Sequence, residues 1–390
     1  GLKRAHGTQP IIIYFDNAAT SFPKPSETVE HLTNFVANVG GNPGRSGHTL
    51  SLEAARIIFE ARERLTSFIG MKDSERLIFT QNGTESLNAA LLGLLKPGDH
   101  VVTTSMEHNS VMRPLEFLRQ GRGITYTAVS CSSEGFVDPE HIARAVTPKT
   151  KAVVINHGSN VTGAVQPLSG IKKSIGAVCL IVDACQTIGS TAVDMEGLGV
   201  DILCFSCHKS LFALQGVGAL YVREGIDLVP LKFGGTGSRS ESIEHPMFLP
   251  DRYECGTPNT PGIASLLGGL TFIEKEGLSK IEARKQRLRT RLVEGLRQVP
   301  GVHVYGHGGR GTGSYLAIVS FNIEGMLPSS AGYELNQREM FVRIGLHCSP
   351  AAHQTVGTFP GGALRASPGY FTEETDIDAF VEAVREIAGT

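Results

Sequence analysis

No apolar run in these 390 residues approaches the roughly 18–20 needed to cross a bilayer as a helix, so a membrane-spanning protein is not expected. Charge of one sign is not in excess either. Thirty-six Lys and Arg stand against 38 Asp and Glu, a formal net charge of −2, and without a basic field nucleic acid is disfavoured as a partner. Cysteines number only seven, an odd and dispersed set that does not make a disulfide framework. Internal repeats and low-complexity tracts are missing, and so is an export signal. The run Ile11–Phe15 is too short and too late for one and reads as a strand, which makes the cytoplasm the expected compartment. Gly1 in place of Met reads as the scar of a tag. What is present is a soluble globular composition, 41% apolar and 19% charged, with 46 glycines for tight turns and close backbone approaches. The length suggests two or three domains, or one large domain with an appendage.

Periodicity gives the organisation. Short apolar runs predict strands at Leu77–Thr80, Val101–Thr104, Ile124–Val129, Ala152–Asn156, Cys179–Asp183, Asp201–Ser206 and Val217–Val222. Helical patterns cover Ser51–Ile69, Thr84–Leu95 and Val111–Gln120. Strands alternating with helices predict an α/β fold, with a mostly parallel seven-stranded sheet covered on both faces. Past Pro258 the texture changes: a long amphipathic helix over Ile281–Val299, strands near Val302–Tyr305, Leu316–Asn322 and Phe341–Ile344, and a last helix from about Glu373 to Ile387. The expectation is a large domain over 20–257 and a smaller α+β domain over 258–390, completed by residues 1–19. Gly306–Gly313 reads as a surface loop.

Ligands of such sheets bind at the carboxyl ends of the strands, so polar residues just past the strand runs are the ones to inspect. Asp183-Ala184-Cys185-Gln186 and Ser206-Cys207-His208-Lys209 each follow a strand, one strand–connection–strand unit apart. A lysine at that rim can form a Schiff base with a carbonyl cofactor, and an adjacent aspartate can keep a pyridine nitrogen protonated. Taken singly, each is also an ordinary strand-end residue. Gln81-Asn82-Gly83-Thr84-Glu85-Ser86 opens a helix, where free N–H groups suit a phosphate as well as a simple cap. His108, in Met106-Glu107-His108-Asn109, can stack on a ring or stand in a solvated loop. Cys348 sits among Gly, His and Pro after a strand, where exposure and a nearby base favour the thiolate; the alternative is an idle loop thiol. Arg365 is a carboxylate clamp or a structural ion-pair partner.

Cys204-Phe205-Ser206-Cys207-His208 matches the haem-attachment pattern C-x-x-C-H and contains a C-x-x-C redox pair. Haem attachment goes with export, and Cys204 lies in an apolar strand, so both readings are weak. Cys179 and Cys204 read as small core residues. No second pair supplies four-ligand zinc spacing, and no metal is expected.

Taken in order from Tyr14-Phe15-Asp16-Asn17-Ala18-Ala19-Thr20 to the last helix, these motifs resemble the class V aminotransferase group of pyridoxal-phosphate enzymes. The likeness is strongest to the second group of cysteine desulfurases, which includes the selenocysteine lyases. The resemblance implies the fold-type I architecture of pyridoxal-phosphate transferases. It implies that Lys209 carries pyridoxal 5'-phosphate, with Asp183 on the ring nitrogen, Gln186 on the ring hydroxyl and His108 stacked on the ring. Gly83, Thr84 and Glu85 belong to the cofactor contacts, and Thr84 with a neighbouring amide takes the phosphate together with Ser206 and His208. Thr257 would reach the phosphate of a second subunit, which implies a homodimer. Ala18, Asn160 and Arg365 would contact the substrate, the last two at its carboxylate, with Arg45 and His48 at the entrance. Cys348, in Arg343-x-Gly345-x-His347-Cys348-x-Pro350, would accept sulfur from L-cysteine, or selenium from L-selenocysteine, before a sulfur-acceptor protein takes it on.

This chain departs from the pattern at Cys207, where Gly is usual, and at Ser349, where Ala or Gly is. Neither change removes a reacting group, though the second bears on how freely the Cys348 loop moves. Other class V chemistry, namely transamination, C–S lysis, epimerisation or selenocysteine lysis, uses the same scaffold. A thiol carrier built on Cys204 and Cys207 is the non-enzymatic alternative.

Overall fold

A computed structural model describes residues 12–44, 47–307 and 313–389. Its strands, in chain order, are β1 (Ile13–Tyr14), β2 (Leu77–Thr80), β3 (His100–Thr104), β4 (Thr125–Val129), β5 (Thr150–Asn156), β6 (Cys179–Asp183) and β7 (Ile202–Ser206). They continue as β8 (Gly218–Val222), β9 (Val302–Tyr305), β10 (Val319–Ile323), β11 (Met340–Phe341), β12 (Arg343–Gly345) and β13 (Ala363–Ala366).

The seven segments predicted between Leu77 and Val222 form one sheet, ordered β2-β8-β7-β6-β5-β3-β4. Strands β4, β3, β5, β6 and β7 pair in parallel, and β8 alone runs against both its neighbours. The central strands are apolar on both faces because both faces are covered. Side chains alternate along a strand, so Val153, Ile155, Leu180, Val182, Leu203 and Phe205 enter one core, while Ala152, Val154, Ile181, Ile202 and Cys204 enter another on the opposite face.

A four-stranded antiparallel sheet, β12-β13-β10-β9, holds a third core against the helices Leu278–Arg297 and Glu374–Ala388. The start of the chain joins this region: β1 pairs in parallel with β11, and Ile13 and Phe15 are buried in its core. The change of core falls within the helix Leu278–Arg297, whose Ile281 packs with the large sheet while Leu288, Leu292 and Leu296 pack with the small one. The preceding helix Thr260–Glu276 belongs to the large-sheet core through Ile263, Leu266, Leu267 and Leu270, although it lies past residue 258.

Three details differ from expectation. The strand sought at Leu316–Asn322 begins only at Val319, and Phe341–Ile344 is split between β11 and β12. Cys179 is half-buried rather than a core residue, because it sits at the first position of β6. Most of the Gly306–Gly313 segment lies outside the described residues. Among the described residues no helix is long and apolar enough to cross a membrane.

Candidate active site

Strands β3, β5, β6 and β7 point the same way, so their carboxyl ends form one rim. Register places Asn156 beside Asp183 and Asp183 beside Cys204. Above that rim lies a cleft of about 120 Å³, several times the ~10–15 Å³ that one water needs. Its walls are polar and come from five chain segments: Asn82, Gly83 and Thr84; His108 and Ser110; Asn156 and Asn160; Asp183, Cys185 and Gln186; Ser206, His208 and Lys209.

Each group is placed by its local structure. Asn82 caps the helix Gly83–Leu94 by accepting the Glu85 N–H at 2.9 Å, and the helix start faces the cleft. Gly83 is required there: a Cβ would collide with Cys185 Sγ. His108 caps the next helix, Asn109–Arg122, through Nδ1, which accepts the Ser110 N–H at 3.0 Å. The Ser110 hydroxyl links His108 Nδ1 and Thr84 Oγ1, each at 2.8 Å. Burial lowers the His108 pKa, opposed by the Asp183 carboxylate and reinforced by Lys209, so the ring is neutral at pH 7.

Asp183 is 4% exposed, and its Oδ1 accepts the Cys185 N–H at 2.9 Å. Gln186 donates through Nε2 to the Ala18 carbonyl at 2.9 Å, and among the described residues its oxygen is uncommitted. His208 Nδ1 meets Thr20 Oγ1 at 3.1 Å, and burial beside Lys209 and Lys24 pushes the ring down to about 4. Two groups stand without partners. Ser206 Oγ is buried with only the weakly bonding Cys185 thiol beside it, and the Lys209 ammonium has no ion-pair or hydrogen-bond partner among the described residues. Buried polar atoms are nearly always paired, so the orphaned hydroxyl marks a place for a polar ligand.

Cys348 is the exposed member of the seven cysteines. It lines an opening that shares Thr84, His108 and Ser110 with the cleft, so the thiol stands at its mouth. Arg365 is buried away from the cleft wall. Its two terminal nitrogens reach Asp16 Oδ1 at 2.9 Å and the Asn160 carbonyl at 3.0 Å, while Nε has no partner.

Several expected site residues do not enter the cleft. Glu85 does not, because its amide is spent on the Asn82 cap and its carboxylate on the Gln81 N–H and on Lys232 at 2.6 Å. Ala18 contributes only its carbonyl to Gln186 and lines a neighbouring cavity. His48 is exposed and caps the helix Thr49–Phe68. Thr257 is exposed. Arg45 lies outside the described residues. Conversely, Ser110, Asn156 and Cys185 line the cleft without having been singled out as site residues. Asn156 ends a parallel strand and the strand-end rule could have found it, whereas nothing local marks Ser110.

Cys204 and Cys207 are buried, and burial raises both thiols far above the usual range. Among the described residues no group of three potential ligands is arranged for a metal.

The sequence model of the class V aminotransferases matches residues 13–380. This chain belongs to that family. Class V relatives include a probable cysteine desulfurase of Pyrococcus abyssi, 32% identical over 96% of this chain and 94% of the relative. A cysteine desulfurase of Haloferax volcanii is 29% identical over 96% and 88%. Among solved structures, the apo cysteine desulfurase of Thermococcus onnurineus matches with a TM-score of 0.89 at 31% identity, covering 97% of this chain and 95% of that one. The Escherichia coli cysteine desulfurase CsdA in its S-sulfonic acid form gives 0.86 at 25%, covering 97% and 94%. The fold is therefore the fold-type I architecture that the family resemblance implied, and the class V family is pyridoxal-phosphate-dependent.

Buried imidazoles set a pH dependence. Desolvation pushes His157, His307 and His353 down to about 4 and His347 to about 2, from an ordinary 6.5. Unfolded, these rings take up protons below about pH 6.5 while the folded protein does not, so their contribution is present above that pH and lost as pH falls. Glu107, raised by burial to about 8, works oppositely: its contribution is full below about 4.5 and is lost as pH rises through 8. Four imidazoles outweigh one carboxyl. The urea midpoint should be lower at pH 5 than at pH 7, and an equal or higher midpoint at pH 5 would contradict these assignments.

Proposed function

We infer that this chain is a pyridoxal-phosphate-dependent cysteine desulfurase that converts L-cysteine to L-alanine and leaves the sulfur on Cys348. The observation that carries the reading is the unpartnered Lys209 amine on the same rim as Asp183, with the exposed Cys348 thiol at the mouth of their cleft. The donor set fits the cofactor. Bare backbone at Gly83, the Thr84 hydroxyl and the orphaned Ser206 Oγ suit a phosphate, and the neutral His108 ring suits stacking.

When bound, pyridoxal phosphate supplies an electron sink for the charge left at the amino acid's Cα. The protein does the rest. The Asp183 carboxylate holds a proton on the ring nitrogen, and the Gln186 oxygen is free to accept from the ring hydroxyl. The Lys209 amine would take the substrate's Cα proton at Nζ and return it. Asn160, with Arg365 behind it, receives the substrate carboxylate. The Cys348 thiolate then attacks the substrate sulfur. A new S–S bond forms as Cβ–S breaks, the electron pair stays with carbon, and protonation there completes the methyl group of alanine.

The same reading makes the protein a cytoplasmic homodimer, with the exposed Thr257 reaching the partner copy's phosphate. It also organises the chain as a large unit and a small one joined by the first residues. An acceptor protein would draw sulfur from Cys348. Full burial of Cys204 and Cys207 weighs against the thiol-carrier alternative. Incubation with L-cysteine followed by peptide mass spectrometry should find one added sulfur on Cys348. Alanine formed with no persulfide there, or with persulfide confined to another cysteine, would contradict the reading.

A further inference from the structure

We propose that Ser349 is a positioning residue that ties the Cys348 loop to the cleft through the side chain of Asn160. The proposal rests on the desulfurase reading and deepens it. His347 and Cys348, with φ of 50° and 58°, are consecutive non-glycine residues in the left-handed region. L-residues avoid that region, so surrounding contacts must hold the loop there. One amide does much of this. Asn160 Nδ2 donates to the His347 carbonyl at 2.8 Å, and Asn160 Oδ1 accepts from Ser349 Oγ at 2.9 Å. A single side chain thus grips the backbone on one side of Cys348 and a hydroxyl on the other. Ser349 is 0% exposed and Asn160 6%, so water does not compete for these bonds.

The same Asn160 side lines the cleft next to Asp183 and Gln186. An amide nitrogen carries two hydrogens, and His347 uses one. Asn160 can therefore donate the second to an amino-acid carboxylate while it still holds the loop. The Ser349 hydroxyl decides which end of the amide faces which partner. Without that donor the amide can flip, and its oxygen then opposes the His347 carbonyl and the grip is lost. The loop is also held at the cleft mouth by Asn109 N–H to the Cys348 carbonyl at 2.9 Å, and within its own segment by Ser349 N–H to the Leu346 carbonyl at 2.8 Å, His353 N–H to the Ser349 carbonyl at 3.2 Å and the His353 Nε2–His347 Nδ1 contact at 3.1 Å, but none of these bonds involves the group that would meet a substrate carboxylate. Occupancy of the carboxylate site and placement of the thiol are thereby coupled through the Ser349 hydroxyl.

The test measures alkylation of Cys348 by iodoacetamide in the pyridoxal-phosphate-loaded protein, read by mass spectrometry, with and without saturating L-alanine. Binding of alanine is followed by the cofactor's absorbance. In the unmodified protein alanine should slow alkylation about threefold or more, the size of coupling expected between groups in one hydrogen-bonded network. In Ser349→Ala alanine should still bind, basal alkylation should be faster, and the protection should largely disappear. Ser349 has φ −135° and ψ 62°, so alanine, with the same Cβ, adds no strain that serine does not already carry, and Ser349→Gly is a second variant expected to behave alike. Simple shielding of the thiol by alanine would survive the substitution. Equal protection in the unmodified and substituted proteins therefore overturns the proposal, as does alkylation of the unmodified protein that ignores bound alanine. Both results leave the desulfurase reading standing. Failure of the unmodified loaded protein to bind alanine would sink that reading and this proposal with it.

Discussion

Lys209→Ala is expected to abolish alanine formation from cysteine, with a loss on the order of 10²–10⁴-fold or more, because one side chain supplies both the covalent tether and the proton-transfer group. The loss should be chemical rather than structural. The Lys209 side chain makes no hydrogen bond or ion pair among the described residues, and truncating such a side chain usually changes stability by only about 0.5 kcal/mol. The thermal midpoint of the protein without cofactor should therefore stay near that of the unmodified chain while activity disappears. Added pyridoxal phosphate should still bind through the phosphate contacts of Thr84 and Ser206, but without a borohydride-reducible adduct. Retention of substantial activity, or of a yellow reducible adduct, would show that another amine does the work.

Cys348→Ala is the second large effect. The cleft residues Lys209, Asp183 and His108 are untouched, so exchange of the cysteine Cα proton with solvent deuterium should continue. Release of sulfur should fall by at least about 100-fold, because no other exposed thiol can take its place. Cys185, half-buried on the cleft wall, and the buried Cys207 cannot substitute, since desolvation raises both thiols and holds them neutral. Activity on selenocysteine can survive, because selenium leaves more easily than sulfur and needs less help from a nucleophile. Proton exchange and sulfur release falling together would place Cys348 in the cofactor site rather than at its mouth. Full sulfur release would remove it from the reaction.

Much of the fold was legible because parallel strands buried on both faces leave continuous apolar runs. All seven strands of the large sheet stand within one or two residues of the segments read from the sequence. The reversal of β8 was not legible, since an apolar strand looks the same in either direction. The helix Thr260–Glu276 was missed because burial nearly all round erases the amphipathic period on which recognition depends. In the site, Lys209, Asp183, Gln186, His108, Thr84, Ser206 and His208 do meet at one cleft, as strand-end reasoning expects. Glu85 shows the limit of motif reading. Its place in the helix-opening run suggested a ligand contact, but its amide and carboxylate are consumed in capping the turn and pairing with Lys232. Arg365 shows another. A guanidinium read as either a carboxylate clamp or a structural ion-pair partner is held by Asp16 and reaches the cleft only through Asn160, a pairing across nearly the whole chain that no local pattern records.

The central claim is that Lys209 is the amine that holds the cofactor, and two other lysines make the claim a demanding one. Burial lowers both Lys24 and Lys285 to about 8, which makes each a better nucleophile near neutral pH than an ordinary lysine. Geometry sets them apart. Lys24 donates to Ser21 and the His208 carbonyl, and Lys285 to Ser190 and Ser210, whereas Lys209 alone of the three lines the cleft beside Asp183. Borohydride reduction of the protein loaded with pyridoxal phosphate, followed by peptide mapping, decides between them. The account predicts a single pyridoxyl group on Lys209; the group found on Lys24, on Lys285 or on no lysine would contradict it.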